Sequence, residues 1–181
     1  MQAEVPFVDA DFGDESNSGI GDVVLSLDLL AYQDLFAFPF VIPHIDVSLP
    51  TGDEDEGLGT GETVTTIGLS IGTKVYDVLT YVVDVAYALN GGGLAQEDDN
   101  IVLVSGSIVW DITDRFAVLA EGRVEEKNVF DNYPYIIKGG LVYRFTRDLQ
   151  LAGYGGTYSA ELEGAEDDQF DLVEIRLAYQ F

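Results

Sequence analysis

The chain closes on 171-DLVEIRLAYQF-181, and which side of this segment meets water decides the fold. Every second residue from Val173 to Phe181 is apolar, namely Val173, Ile175, Leu177, Tyr179 and Phe181, while Glu174, Arg176 and Gln180 stand between them. A period of two is that of a β-strand with one apolar and one polar face.

The same period runs back through the chain. VVLSLDLLAY (23–32), TVTTIGLSIGTK (63–74), LTYVVDVAYAL (79–89) and IVLVSGSIVWD (101–111) are β-branched or aromatic and free of proline, as strands are. FAVLAEGRVEE from Phe116, YIIKGGLVYRF from Tyr135 and LQLAGYGGTYS from Leu149 continue the pattern. FAFPFVIPHIDVSL (36–49) contains Pro39 and Pro43, which predicts an edge, bulge or irregular stretch in its first half. No window carries a helical period.

Connections alternate in length. YQDL (32–35), KVYD (74–77), ITDR (112–115) and TRDL (146–149) are tight turns, and between them lie PTGDEDEGLGTGE, NGGGLAQEDDN, EKNVFDNYPY and ELEGAEDDQ. With EVPFVDADF as a first strand followed by the loop GDESNSGIG, the total is about ten strands, even in number, with both chain ends at the short-turn rim. That arrangement predicts an all-β, closed antiparallel up-and-down barrel as one domain over 1–181.

The choice between a soluble and a membrane barrel rests on the two faces. One face gathers Ile67, Leu69, Ile71, Tyr81, Val83, Val85, Val104, Ile137 and Leu141. The other holds small residues and isolated charges: Asp28, Asp84, Glu121, Arg123, Lys138, Arg144, Glu174 and Arg176 among Ser26, Gly68, Ser70, Ser105 and Ser107. A soluble barrel fills its interior with the large side chains and covers its outside densely with charge. Here the polar face is thin and nearly balanced in sign, which suits a crowded lumen, and the tall apolar face suits hydrocarbon. Trp110, Phe116, Tyr143, Phe145, Tyr179 and Phe181 fall on the apolar face near the short-turn rim, as an interfacial aromatic girdle does. The expectation is a transmembrane β-barrel whose apolar face meets lipid, with Glu174 and Arg176 inside.

Composition removes other classes. Eight basic against 33 acidic residues give a formal charge of -25, which repels phosphate backbones and argues against nucleic-acid partners. No cysteine is present, so thiol catalysis, disulfides and thiolate metal sites fall away. A hydrophobic content of 47% beside that charge separates the chain from disordered acidic sequences.

Particular stretches resemble a known family. GIGDVVLSLDLL (19–30), IDVSLPTGDEDEGLGTGE (45–62), AYALNG (86–91), WDITDRFAVLAEG (110–122), GGLVYRFTRDLQL (139–151) and the closing LAYQF resemble the bacterial outer-membrane transporter-like family associated with meta-pathway phenol degradation. The GxGD strand start and the PTGD…GLGTG loop are its most specific marks, and the likeness runs from about Val5 to the end. The resemblance implies a porin-like barrel for hydrophobic or aromatic compounds. It also implies a terminal Tyr-x-Phe signal for the outer-membrane barrel assembly machinery. Because the family usually carries further strands before VPF, the chain looks N-terminally shortened, to ten strands from about twelve.

Other motifs carry less. Asp53 and Asp55 in the PTGDEDEGLGTGE loop are hard oxygen ligands, and the acidic loops together suit calcium or magnesium bridging to lipopolysaccharide, but EF-hand spacing is absent. His44, the sole histidine, has Asp46 two residues on, with no serine placed beside them for nucleophilic catalysis. It reads as a polar lumen or turn residue. Glu121 and Glu174 read as members of a salt-bridged constriction rather than an acid–base pair, so no enzyme activity or organic cofactor is expected. The functional expectation is a narrow outer-membrane channel for uptake of small molecules, aromatic or hydrophobic ones included. Its surroundings are outer-membrane lipid and lipopolysaccharide. A plugged structural or interaction barrel with cation-binding acidic loops is the alternative, and a soluble ligand-binding barrel the third.

Overall fold

The computed structural model describes residues 1–11, 16–33, 39–54, 56, 58–89, 100–126, 135–160 and 168–181. Among these are twelve strand segments and no helix: β1 (Gln2–Asp11), β2 (Ser16–Ile20), β3 (Val23–Asp28), β4 (Tyr32–Gln33), β5 (Phe40–Leu49), β6 (Val64–Val75), β7 (Leu79–Leu89), β8 (Asn100–Asp111), β9 (Phe116–Glu126), β10 (Tyr135–Arg144), β11 (Leu149–Ala160) and β12 (Asp168–Gln180). Neighbours pair antiparallel in chain order, and β12 closes on β1 with Gln2 opposite Gln180 and Asp11 opposite Asp171. Because β2, β3 and β4 share one place between β1 and β5, the twelve segments build ten barrel strands, the number that the turn lengths predict.

The composite second strand corrects the sequence reading at one point. GDESNSGIG is expected as a loop, yet Ser16–Ile20 pairs with β1, Phe7 opposite Ile20. The reason is that β1 runs on to Asp11, and its free edge is satisfied only by a neighbour of matching length. Prolines explain the interruptions. Pro6 accepts from Gly21 N at 3.0 Å, where β2 passes into β3, and Pro43 accepts from Leu29 N at 2.9 Å, where β3 passes into β4. In an antiparallel pair the N–H and C=O of one residue face the same neighbour, so each missing proline N–H faces a break where no ladder bond is lost. Pro39 precedes β5 outside any strand. Of the YQDL turn, Asp34 and Leu35 lie outside the described residues.

The short turns are locally encoded. Tyr76 and Asp77 both have positive φ, 52° and 58°, and Val78 N donates to Val75 O at 3.2 Å. These are the marks of a type I′ turn, whose twist matches that of the strands. In the next two turns a threonine does the work: Thr113 Oγ1 accepts from Phe116 N, and Thr146 Oγ1 from Leu149 N, each at 3.0 Å. Both chain ends join this rim, with Phe181 N donating to Met1 O.

Side-chain placement is inverted relative to a soluble protein. Val83, Val85, Ile137, Leu141, Ile175 and Leu177 point outward and are largely exposed, Val83 at 57% and Ile137 at 60%. Most of the buried side chains are small or charged, Ala86, Ala88, Ala117, Ala152, Ala178, Glu125, Lys138 and Glu174, and Val64, Ile101, Leu119 and Val142 are the larger apolar ones on the strands. A continuous apolar wall of this extent is stable only against hydrocarbon. At the short-turn rim, Trp110, Tyr143, Phe145, Tyr179 and Phe181 are exposed and Phe116 is half-buried. Tyr143 with Phe145 and Tyr179 with Phe181 meet edge to face, at centroid distances of 5.0 and 4.8 Å.

Candidate functional site

Inward-facing residues of every barrel strand except β11 line a cavity of about 570 Å³. Its lining runs from Thr60 and Val64 near the long-loop mouth, past Glu4, Asp46, Asp84, Glu121, Arg123, Lys138 and Arg176, to Val82 and Ser107. Alternation alone puts these charges inside, because each strand must send every second side chain there.

Two walls differ in character. On the side of β9, β10, β12 and β1, charges form a ladder. Arg176 bonds Glu4 at 2.8 Å and Glu174 at 2.7 Å, Lys138 reaches Glu174 at 3.3 Å and Glu121 at 3.8 Å, and Arg123 holds Glu125 at 2.8 Å. The Tyr154 ring lies beneath two of the cations, 4.7 Å from Lys138 Nζ and 5.2 Å from the Arg176 guanidinium carbon, a cation–π arrangement. Toward the short-turn rim Asp111 joins Arg144 at 2.8 Å and Lys74 at 3.4 Å. On the side of β3, β5 and β7 stand Asp28, Asp46 and Asp84 with His44.

Apolar side chains also turn inward. Val64, Ala88 and Ile101 pack with Leu103, and Ala117, Leu119, Val142 and Ala152 pack with Val109 and Tyr154. The lumen is therefore a charged belt set among apolar patches.

The mouth loop is held from below by one residue. Asp22 Oδ1 accepts from the backbone N–H of Thr51 at 3.1 Å and Gly52 at 2.9 Å, and Oδ2 accepts from Thr60 N at 2.8 Å and Thr60 Oγ1 at 2.9 Å. Gly52 and Gly59 pass so closely that a Cβ on Gly59 would lie 2.9 Å from the Gly52 backbone. Leu58 is buried among Gly19, Gly21 and Gly52. These contacts give physical content to the two sequence marks: GxGD supplies the carboxylate, and PTGD…GLGTG supplies the donors and the glycines that let them converge. Replacing Asp22 by alanine is expected to cost about 1.5–3 kcal/mol, as loss of hydrogen bonds to a charged group does. It should also open residues 50–63 to protease; a loop as resistant as wild type would refute the clamp.

All eight expected lumen charges lie on the inner face, in the pairs given above for Glu121, Arg123, Lys138, Arg144, Glu174 and Arg176, with Asp84 against His44 and Ser70. Asp28 makes no ion pair among the described residues. Sequence reasoning set Asp46 beside His44 but missed Glu4, Asp111, Glu125 and Tyr154 as parts of these networks; extending strict alternation through every strand finds them, since each keeps the inward parity of its strand. Asp22 carries no such signal, because its partners are 29 to 38 residues away. Of the calcium candidates, Asp53 accepts from Leu58 N at 2.8 Å through its backbone carbonyl and Asp55 lies outside the described residues. Among the described residues no three acidic or histidine side chains gather as metal ligands.

A family model described as putative MetA-pathway of phenol degradation matches residues 1–173. No curated protein matches the chain. Among solved structures, the NanC porin superposes with a TM-score of 0.68 at 11% identity, covering 99% of this chain and 100% of that one. The KdgM porin gives 0.61 at 10%, covering 100% and 99%. An outer-membrane channel from Pseudomonas putida F1 gives 0.62 at 11%, covering 99% and 94%. At these identities the likeness is one of fold, that of outer-membrane porins and channels.

Proposed function

The chain belongs to the family described as putative MetA-pathway of phenol degradation, and from that premise we propose that it forms a narrow outer-membrane channel for uptake of small molecules, aromatic ones included. The observation that carries this reading is the cavity itself: about 570 Å³ inside a barrel whose outside is apolar, within the range of sites that hold small molecules. Its lining offers apolar surface at Val24, Val64, Val82, Ala88 and Leu103 beside the charges. An aromatic solute can therefore lie on one patch while its polar group meets the belt. The lumen charges would act as the selectivity filter, as rings of charged side chains do in other pores. The reading takes outer-membrane lipid and lipopolysaccharide as surroundings and the terminal Tyr-x-Phe as an assembly signal. The acidic loops would attract divalent cations in that setting.

Purified barrel reconstituted in planar bilayers should show discrete conductance steps, and liposomes containing it should take up a small neutral phenol faster than empty ones. Absence of both from correctly folded protein would refute uptake and favour the plugged, loop-mediated alternative.

A further inference from the structure

His44 has both ring nitrogens engaged, Nδ1 at 2.8 Å from Asp46 Oδ2 and Nε2 at 2.8 Å from Asp84 Oδ2. Ser70 Oγ donates to the same Asp84 oxygen at 2.8 Å. The ring fits because residue 68, opposite it on β6, is glycine; a Cβ there would run into the imidazole. The charged groups that face His44 are Asp28, its paired residue on β3, Asp46 on its own strand and Asp84 on β7. β6 adds only Gly68 and Ser70 beside the ring. Glu4, on β1 next to β3, and Glu121 and Arg123, on β9, also line the cavity. Lys74, Arg123, Lys138, Arg144 and Arg176 are each bonded to carboxylates elsewhere. Among the described residues, His44 is thus the one basic group on the acidic wall.

Building on the channel reading, we propose that His44 sets the charge selectivity of the lumen. A protonated imidazole donates to both carboxylates and offsets part of their charge; a neutral one has a single N–H for two acceptors. Loss of the ring proton therefore leaves one carboxylate without its imidazole donor, Asp84 keeping Ser70 in either tautomer, and adds one unit of negative charge to the wall. Small organic cations are then favoured over anions, and more so as pH rises.

Reversal potentials across a salt gradient test this in wild type and His44→Gln. Between about pH 5.5 and about pH 8.5, which bracket the ordinary imidazole range, the wild-type cation-over-anion permeability ratio should rise about threefold, the size expected of one charge acting across a few ångströms in a wet pore. His44→Gln should hold the higher ratio at both values. Asp84→Asn, which keeps the histidine, should lower the ratio at the higher pH. A wild-type ratio indifferent to pH, or a response in His44→Gln as large as in wild type, overturns the proposal while the channel stands. A folded wild-type barrel that passes no current overturns the channel reading and this inference together.

Discussion

Val85→Arg is expected to lower the unfolding free energy of the membrane-embedded barrel by about 2–4 kcal/mol, the cost of a charge on the lipid face near the bilayer midplane. Val85 lies within β7, paired with Leu69 and Val104, and is 52% exposed with apolar neighbours on the same outer face. In a water-soluble protein a half-exposed valine tolerates arginine within about 0.5 kcal/mol, so this one substitution separates the two inside–outside assignments. Depth supplies the control. Val78, in the turn at the rim, is also exposed, and arginine there should cost only about 0–1 kcal/mol because the side chain reaches the interface. Guanidinium unfolding in phospholipid vesicles, followed by fluorescence of Trp110, the sole tryptophan, gives both values. Equal small losses at the two positions would contradict a hydrocarbon-facing β7.

Arg176→Met should cost about 3 kcal/mol, the low end for breaking a buried ion pair, since the lumen retains some water. The guanidinium bridges Glu4 and Glu174 and covers the Tyr154 ring; methionine fills much of the same volume but leaves both carboxylates facing one another's charge. Adding Glu174→Gln to Arg176→Met should recover part of the loss, with a coupling of about 0.5–3 kcal/mol in a double-mutant cycle. Simple additivity of the two substitutions would show that the Arg176–Glu174 contact itself contributes nothing to stability. The same single substitution clears a charge from the cavity lining, so conductance should increase while stability falls.

Much of this molecule is legible along the chain because its constraint is local and repetitive. A strand in lipid must present apolar groups every second residue and satisfy its backbone through its neighbours. Val173 to Phe181 therefore reveals its own two faces without knowledge of any other strand, and Trp110 or Tyr143 near a turn reveals its rim. The segment Ser16–Ile20 escapes that reading: its SNSGI composition is that of a loop, and only the exposed edge of β1 makes it a strand. Asp22 escapes for a similar reason, since a carboxylate's partners are chosen by which loop arrives above it.

The period-two pattern and the alternation of short and long connections together determined the antiparallel barrel, the inside and the outside, and the rim at which both ends lie, because each follows from the geometry of one strand and its turns. Register decided the rest. Pairing of Asp28 with His44, of His44 with Gly68 and of Lys138 with Glu121 sets which charges neutralise one another and which stay unbalanced on the acidic wall. Those are relations between strands far apart in sequence, and a shift of register would exchange every partner, so only the closed tertiary structure fixes them.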